Sequence, residues 1–240
     1  METDKIYNMD CLEGMKQIPD NSIDLVVTDP PYRAHFEEGG GEFGKRDYFK
    51  NVKEGVGHTD DFDIAPLLSM LIPKMKVFNA YFWCSQKQIY TYLDFAIKHN
   101  YHYEILIWNK TNPVPTKNNK YLPDTEHYIF IRDKGATFNN NLPFNFYRKV
   151  FRTPISPSQF GHPTEKPLKV ILPSIAISSK EGDTILDPFM GSGTTAVACR
   201  MLNRHFIGFE ISKEYCDIAN NRLKKYMEQT NLTEVLNDGN

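Results

Sequence analysis

Short runs of β-branched and aromatic residues alternate along the chain with segments whose apolar residues recur at helical spacing. The predicted strands lie at Ile6–Tyr7, Ile23–Thr28, Val77–Cys84, Tyr103–Trp108, His127–Arg132, Asp183–Asp187 and His205–Glu210. The predicted helices lie at Cys11–Gln17, Ile64–Lys74, Gln86–Lys98, Leu168–Ser178, Thr194–Leu202 and Lys213–Gln229. Because strands that alternate with helices pair in parallel through crossover connections, this pattern predicts an α/β fold with a mostly parallel sheet between helices.

Two long segments interrupt the pattern. Residues 33–61 contain clustered glycines among many charged residues, which is typical of a long functional or disordered loop. Residues 133–165 are rich in Asn, Pro and aromatic residues, and we predict that they are irregular. The polar tail from Asn231 is expected to be frayed. Since the 240 residues show no internal repeat, we expect a single domain, 1–240, that carries these segments as insertions.

The composition is ordinary for a soluble globular protein, with 40% apolar and 24% charged residues. No apolar run approaches the roughly 18 residues of a membrane span, and Met1–Lys5 lacks the pattern of a signal peptide. We therefore expect a cytoplasmic protein. The cysteines are scattered, which argues against a disulfide framework or a cysteine-based zinc site; they are Cys11, Cys84, Cys199 and Cys216. The close pair His99 and His102 has no acidic partner nearby, so no metal site is expected.

The net charge of −2 hides an uneven distribution. Between Lys110 and Arg152 there are eight cations and three anions, a net charge of +5, so the rest of the chain carries −7. A basic middle on an acidic body indicates either a contact surface for a polyanion or a chance cluster on a solvated surface.

A glycine-rich turn follows the predicted strand Asp183–Asp187, with the sequence Asp-Pro-Phe-Met-Gly-Ser-Gly-Thr-Thr at residues 187–195. Two glycines allow a tight turn, and a helix then begins with its amides exposed, a geometry that accepts a nucleotide-like ligand. Glu210 ends the next strand, where a carboxylate binds the two hydroxyls of a ribose. The turn has neither the G-x-x-x-x-G-K-[ST] nor the G-x-G-x-x-G pattern, which disfavours phosphate transfer and NAD binding. A purely structural turn is the alternative.

Asp29-Pro30-Pro31-Tyr32 follows the predicted strand Ile23–Thr28, at the end where ligands of α/β proteins bind. Two prolines fix the backbone and leave carbonyl acceptors beside the Asp29 carboxylate. A carboxylate and a carbonyl together suit an amino group, which has two N–H donors. Tyr32 offers a face on which a planar base stacks. The alternative is a rigid turn after a buried strand.

A third motif, His-Pro-Thr-Glu-Lys-Pro at residues 162–167, precedes a predicted helix and alone indicates only a helix start. Together, the three motifs resemble the amino-type DNA methyltransferases of the β class, in which D-P-P-Y comes before the F-x-G-x-G loop. The resemblance covers almost the whole chain. It implies a doubly wound, Rossmann-like methyltransferase sheet with a circularly permuted motif order, and a DNA adenine-N6 methyltransferase that uses S-adenosylmethionine (AdoMet).

The resemblance also implies which residues contact the cofactor. Glu210 would hold the ribose hydroxyls, and His162 and Lys166 would close over the methionine end. Asp10 matches a residue near the cofactor's adenine, although this chain has Met9 where the family has a glycine. The residues of the cofactor loop would be Asp187, Phe189, Gly191, Ser192, Gly193 and Thr194.

For Asp29-Pro30-Pro31-Tyr32 the resemblance implies the catalytic element. The exocyclic amine of adenine is a poor nucleophile because its lone pair is delocalised into the ring. Hydrogen bonds from this amine to the Asp29 carboxylate and the Pro30 carbonyl would polarise it, so that positioning and electrostatics carry most of the rate. The base would flip out of the duplex and stack on Tyr32. The chain has no Pro-Cys dipeptide, which disfavours C5-cytosine methylation through a cysteine adduct.

Double-stranded DNA is the expected partner, with single-stranded DNA as a second form of the substrate. In this class the target-recognition region precedes the H-P-T-E-K-P element, here at about residues 135–161, and we expect it to act with the loop at 33–61 and with Asn109–Tyr121. The expected DNA contacts are Lys110, Lys117, Lys120, Arg148, Lys149 and Arg152. Contacts to phosphates give affinity without sequence information.

Other functions stay open at this point. N4-cytosine methylation uses the same scaffold, although enzymes of that kind more often have Ser at the position of Asp29. RNA or protein amine methyltransferases usually have N-P-P-Y or place the glycine loop first. A binding module that has lost activity is disfavoured by the intact Asp29 and glycine loop. A homodimer and a cognate restriction endonuclease are further partners that the resemblance allows.

Overall fold

The computed structural model describes residues 1–31, 62–113, 121–155 and 165–229. The strands in these residues are β1 (Lys5–Asn8), β2 (Leu25–Thr28), β3 (Asn79–Cys84), β4 (His102–Lys110), β5 (Thr125–Arg132), β6 (Val150–Thr153), β7 (Thr184–Asp187) and β8 (His205–Glu210). The helices are α1 (Cys11–Gln17), α2 (Ile64–Lys74), α3 (Ile89–Lys98), α4 (Leu168–Ser178), α5 (Thr194–Met201) and α6 (Lys213–Gln229), with a 3-10 turn at Phe144–Tyr147.

The strands form one sheet in the order β1-β8-β7-β2-β3-β5-β4-β6. Every pair of neighbours is parallel except the two pairs that contain β5. From β7 the chain continues outward to β8, whereas from β2 it continues to β3 on the opposite side. The crevice beyond the carboxyl ends of β7 and β2 is therefore the topological switch point, where ligands of open α/β sheets bind.

The antiparallel direction of β5 brings its first residues to the same edge of the sheet. Because β5 starts where its neighbours end, Glu126 pairs with Trp108 near the end of β4, and His127 pairs with Cys84 at the end of β3. The edge that carries the switch point therefore receives side chains from the end of β4 and from the beginning of β5.

Apolar side chains cover both faces of the sheet. On β2, Leu25 and Val27 pack on the side of α4, α5 and α6, while Val26 packs on the side of α1, α2 and α3. All four residues of β2 are buried, which explains the apolar run in the sequence, because a central strand covered on both faces has no solvent side. The doubly wound, mostly parallel sheet predicted from the sequence is confirmed.

The prediction that residues 133–165 are irregular is wrong for β6, which pairs in parallel with β4. The strand has four residues, and their side chains alternate between exposed and half-buried positions, as at a sheet edge. Such a short edge strand is stabilised by pairing with its neighbour rather than by its own pattern of apolar residues. The same pairing extends β4 beyond the predicted Trp108 to Lys110, so that Lys110 lies on a strand.

The described residues form no helix that is long and apolar enough to cross a membrane. The predicted loop at 33–61 lies outside the described residues, which stop at Pro31 and resume at Phe62.

Candidate active site

Two of the three motifs emerge from neighbouring strands at the switch point. Asp29 follows β2 and Asp187 ends β7, and these strands pair in parallel. The hydroxyl of Thr28 donates a hydrogen bond to Oδ1 of Asp187 at 2.7 Å, and the N–H of Phe189 donates to the same oxygen at 3.1 Å. Asp187 therefore connects the strand that precedes D-P-P-Y to the first turn of the glycine-rich loop.

Asp187 is only 4% exposed. Burial raises the pKa of Asp187 to about 6, and the carboxylate of Asp29 adds to the increase. Hydrogen bonds from Thr195 and Thr28 act in the opposite direction. Because burial disfavours the charged form, the folded protein holds a proton on Asp187 more tightly than the unfolded chain does.

The pKa of Asp187 has a consequence for stability. Its contribution to the free energy of unfolding is fully present below the ordinary pKa of 3.8 and is lost as the pH rises to about 6. We expect Asp187→Asn to remove this loss, of about 3 kcal/mol, so that the variant gains stability relative to the wild type between pH 4 and 7. Urea denaturation at several pH values measures it, with the exposed Asp20→Asn as control. A difference between wild type and Asp187→Asn that is constant with pH would contradict the assignment.

Glycine is required in the loop by its backbone geometry. Gly191 and Gly193 have φ angles of 52° and 82°, in the left-handed region. At Gly193 a Cβ would lie 2.9 Å from the Cβ of Ala219 on α6. Gly193 therefore lets the loop turn tightly against α6 and start α5 at Thr194.

Glu210 is held at the mouth of this loop by backbone donors. Its Oε2 accepts from the N–H of Gly191 at 2.9 Å, and its Oε1 accepts from the N–H of Ser212 at 2.8 Å. Burial raises the pKa of Glu210, and these N–H donors oppose the increase. The carboxylate is therefore fixed in orientation at the carboxyl end of β8.

These residues fit the nucleoside part of AdoMet. The N–H of Ile211 is a further donor to the Glu210 carboxylate. A carboxylate has about four acceptor positions, so Glu210 keeps acceptor capacity that suits a ribose hydroxyl. Phe189 packs edge-on against Phe62, with ring centroids 5.0 Å apart, and gives the mouth of the loop an apolar wall.

Asp10 follows β1, whose last residue, Asn8, pairs with Glu210, and it has a structural role. It is the N-cap of α1, and its carboxylate accepts from the N–H groups of Leu12 and Glu13 at 2.9 and 3.1 Å. Its neighbour Met9 donates a backbone hydrogen bond to the carbonyl of Glu210. A role of Asp10 toward the cofactor's adenine stays a prediction.

Asp29 belongs to a chain of alternating charges that the sequence analysis did not identify. Lys166 Nζ lies 2.6 Å from Asp29 Oδ2 and 3.2 Å from Glu126 Oε2. Lys110 Nζ lies 2.6 Å from the other oxygen of Glu126. Glu126 was missed because an acidic residue in a net basic segment forms no motif by itself. It reaches the site through the antiparallel direction of β5.

One oxygen of Asp29 is left for another donor. Oδ2 is bound by Lys166, whereas Oδ1 is buried and has no hydrogen-bond partner among the described residues. Burial raises the pKa of Asp29, Lys166 lowers it, and the like charge of Glu126 raises it. A buried acceptor without a partner is costly, so Oδ1 is suited to a donor that arrives with a substrate.

Glu165 and Arg222 join the third motif to the glycine-rich loop. Arg222 on α6 is 3% exposed, and its Nη1 lies 2.7 Å from Glu165 Oε1. The same nitrogen donates to the carbonyl and hydroxyl oxygens of Ser192 and, at 2.9 Å, to the hydroxyl of Thr194. The Thr194 hydroxyl donates in turn to the carbonyl of Lys166. Neither Glu165 nor Arg222 was singled out from the sequence.

The candidate DNA contacts fall into separate groups. Lys110 is engaged with Glu126, and its side chain is 16% exposed. Arg148, Lys149 and Arg152 are exposed around β6, and Lys149 is paired with Glu104 on β4. Their roles as DNA contacts stay predictions. The remaining site residues of the sequence analysis lie outside the described residues; they are Tyr32, Lys117, Lys120 and His162.

Comparisons with known proteins agree with this geometry. The chain matches the N6/N4 DNA methylase family over residues 23–221. The type II methyltransferase M2.MboI of Moraxella bovis is 28% identical over 90% of this chain and 86% of that protein. The crystal structure of the M1.HpyAVI–SAM complex is 29% identical, with a TM-score of 0.69, over 91% of this chain and 98% of that one.

The cytosine-N4-specific PvuII DNA methyltransferase shares the fold, with 19% identity and a TM-score of 0.63 over 93% of this chain and 89% of that one. The family match includes the strand before Asp29, the glycine-rich loop and Glu210. This chain therefore belongs to the N6/N4 DNA methylase family.

Proposed function

We propose that this DNA methylase transfers the methyl group of AdoMet to the exocyclic N6 of an adenine flipped out of DNA. The observation that carries the proposal is the state of Asp29 at the switch point. One oxygen is held by Lys166. The other is a buried acceptor with no partner in the part of the chain that the structure describes, and Asp29 follows β2, two strands from the carboxylate of Glu210 on β8. An acceptor suited to an amino group and a carboxylate suited to a ribose therefore lie on one edge of the sheet.

The proposed roles at the acceptor follow from its chemistry. The amine of the target base donates one N–H to Asp29 Oδ1 and the other to the carbonyl of Pro30. These two hydrogen bonds concentrate electron density on the nitrogen and fix the direction of its lone pair. Positioned acceptors contribute most to the rate in this way. Pro31 keeps the turn rigid, and Tyr32 stacks on the flipped base.

AdoMet supplies a methyl group on a positively charged sulfur: as the N–C bond forms, the S–C bond breaks, its electron pair stays on the sulfur, and the methylated amine releases one proton. Glu210 would accept from the ribose hydroxyls, and Phe189 would give the cofactor an apolar contact. Gly191 and Gly193 permit the close approach of the backbone, supported by Asp187, Ser192 and Thr194. We assign the methionine end to His162 and Lys166, and the neighbourhood of the adenine to Asp10.

Adenine is proposed over cytosine because the first residue of the D-P-P-Y motif is Asp29. The competing product is N4-methylcytosine, and the cytosine-N4-specific PvuII enzyme has the same fold. Both bases carry an exocyclic amine with two N–H donors, so the acceptors described above serve either one.

A product analysis tests the proposal. The protein is incubated with AdoMet and unmethylated duplex DNA, and the DNA is digested to nucleosides for mass spectrometry, with single-stranded DNA and RNA in parallel. We expect N6-methyladenine from duplex DNA. N4-methylcytosine would overturn the choice of base, and the absence of a methylated base from all three nucleic acids would overturn the proposed function.

The exposed cations around β6 are proposed to contact DNA phosphates. We expect the double substitution Arg148→Gln, Arg152→Gln to reduce the slope of log affinity against log salt concentration by about 2, because each phosphate contact contributes about 0.9. Fluorescence anisotropy between 50 and 200 mM salt measures the slope. Lys98→Gln, an exposed cation on α3, is the control. An unchanged slope would exclude these arginines from the DNA-contact surface.

A further inference from the structure

We propose that Glu126 is a positioning residue, which holds Lys166 on a single oxygen of Asp29 and so leaves the other oxygen for the substrate amine. The inference rests on the proposed function, because it concerns the same acceptor. It assigns a role to a residue that touches neither the methyl donor nor the base.

The surroundings of Lys166 define its position. Its ammonium lies between two carboxylates, at 2.6 Å from Asp29 Oδ2 and 3.2 Å from Glu126 Oε2. It also lies over the ring of Trp83, 5.1 Å from the centroid. The side chain is 8% exposed, so water contributes little to its stabilisation. A buried ammonium is then held by the balance of these contacts.

Glu126 is itself anchored from the other side. Its Oε1 is 2.6 Å from Lys110 Nζ, and this second ammonium lies over the ring of Trp108, 5.2 Å from the centroid. The rings of Trp83 and Trp108 meet edge to face, with centroids 6.2 Å apart. Each ammonium thus lies over one indole of this edge-to-face pair, and the Glu126 carboxylate contacts both ammonium groups.

The four charges alternate in sign in the order Asp29, Lys166, Glu126 and Lys110. Each inner charge lies between two charges of the opposite sign. If Glu126 lost its charge, the attraction of Lys166 toward Glu126 would be removed while that toward Asp29 persisted. The ammonium would then move toward both oxygens of Asp29 and compete with the substrate amine for Oδ1.

The substitution Glu126→Gln tests this arrangement with little change of shape. An amide has a single acceptor oxygen, so Gln at this position can accept from one lysine while its NH₂ group faces the other. We expect kcat to fall by about 10- to 100-fold, as small displacements of reacting groups do. The Kd of AdoMet should rise by much less than kcat falls, because only Lys166 at the methionine end moves, while Glu210 keeps its contacts with Gly191 and Ser212.

The pH profile separates positioning from simple loss of structure. The groups that face Asp29 are Lys166, Glu126, Asp187 and the thiol of Cys84. Those that face Glu126 are Lys110, Lys166, Asp29 and His127. Burial is the main cause of the raised pKa of Asp29, and Glu126 adds to it. Glu126→Gln should therefore move the acid limb of kcat/KM to lower pH.

The substitution Lys110→Met is expected to shift the acid limb of kcat/KM in the opposite direction. It keeps an unbranched side chain over Trp108 but leaves the charge of Glu126 opposed by fewer cations. The pKa of Asp29 should then rise, and the acid limb should move to higher pH. If a variant is only partly folded, its rate is lower, but the midpoint of the acid limb of kcat/KM does not move. Asp94→Asn, which removes a carboxylate from an exposed ion pair with Lys98, is the control for both variants.

The outcomes are distinguishable from a failure of the proposed function. A wild type that methylates none of the nucleic acids overturns both proposals. If the wild type is active and the folded Glu126→Gln variant has the same kcat and the same pH profile, only the role of Glu126 is overturned. If Glu126→Gln does not fold, Lys110→Met decides: a shift to higher pH supports the role, and an unmoved midpoint overturns it.

Discussion

Asp29→Asn is expected to reduce the rate of methyl transfer by at least about 10²–10³-fold, the size of effect seen when one positioned group is removed from a reaction centre. The amide has about the same shape but no negative charge to polarise the substrate amine. Its NH₂ group also has to avoid the ammonium of Lys166, which lies 2.6 Å from Oδ2. Transfer of labelled methyl groups to duplex DNA under single-turnover conditions measures the rate.

Binding of AdoMet should change by no more than a few-fold in Asp29→Asn, since Glu210 and the glycine-rich loop extend from β7 and β8 rather than from β2. Isothermal titration of AdoMet checks this. The matched control is Asp20→Asn, which removes an exposed carboxylate paired with Lys74. Loss of both turnover and AdoMet binding would show that Asp29 is structural, and retained turnover would remove it from catalysis.

Arg222→Met is expected to lower the free energy of unfolding by about 3–5 kcal/mol, as the loss of one partner from a buried ion pair does. Burial lowers the pKa of Arg222, while Glu165 opposes this effect, and burial raises the pKa of Glu165. The variant leaves the half-buried Glu165 without the cation of Arg222 and leaves the carbonyl of Ser192 without this donor. The glycine-rich loop should consequently bind AdoMet more weakly.

A double-mutant cycle isolates the ion pair. In Arg222→Met combined with Glu165→Gln, part of the lost stability should return, because the unpaired charge is removed together with its partner. Urea denaturation measures all four proteins, and Lys224→Met, an exposed residue on the same helix, is the control. Purely additive effects of the two substitutions would show that the pair contributes no coupling.

Several helices match the sequence pattern residue for residue. Cys11–Gln17, Ile64–Lys74 and Leu168–Ser178 are helices with the predicted bounds. Their apolar spacing, together with an N-cap such as Asp63 before Ile64, acts within a few residues and can be recognised from the sequence alone. The predicted helix at Gln86–Lys98 begins later, at Ile89, because residues 86–88 form a turn before it.

The site was predicted only in part. Asp29, Asp187 and Glu210 follow strands, and strand ends can be identified from the apolar runs before them. Glu126 and Arg222 were not found because each lies on an element that packs next to the motifs without belonging to one. Lys110 was assigned to a DNA-contact segment on charge alone, whereas the structure places it against Glu126.

By itself, the sequence determined the alternation of strands and helices, the order of the three motifs and the acceptor chemistry of Asp29 and Glu210, because spacing, proline and glycine act locally. Only the tertiary structure decided which charges meet. Lys166 and Asp29 are 137 residues apart in the chain and 2.6 Å apart in space. Coulomb energy depends on distance in space, and here that distance is set by the order and direction of the strands.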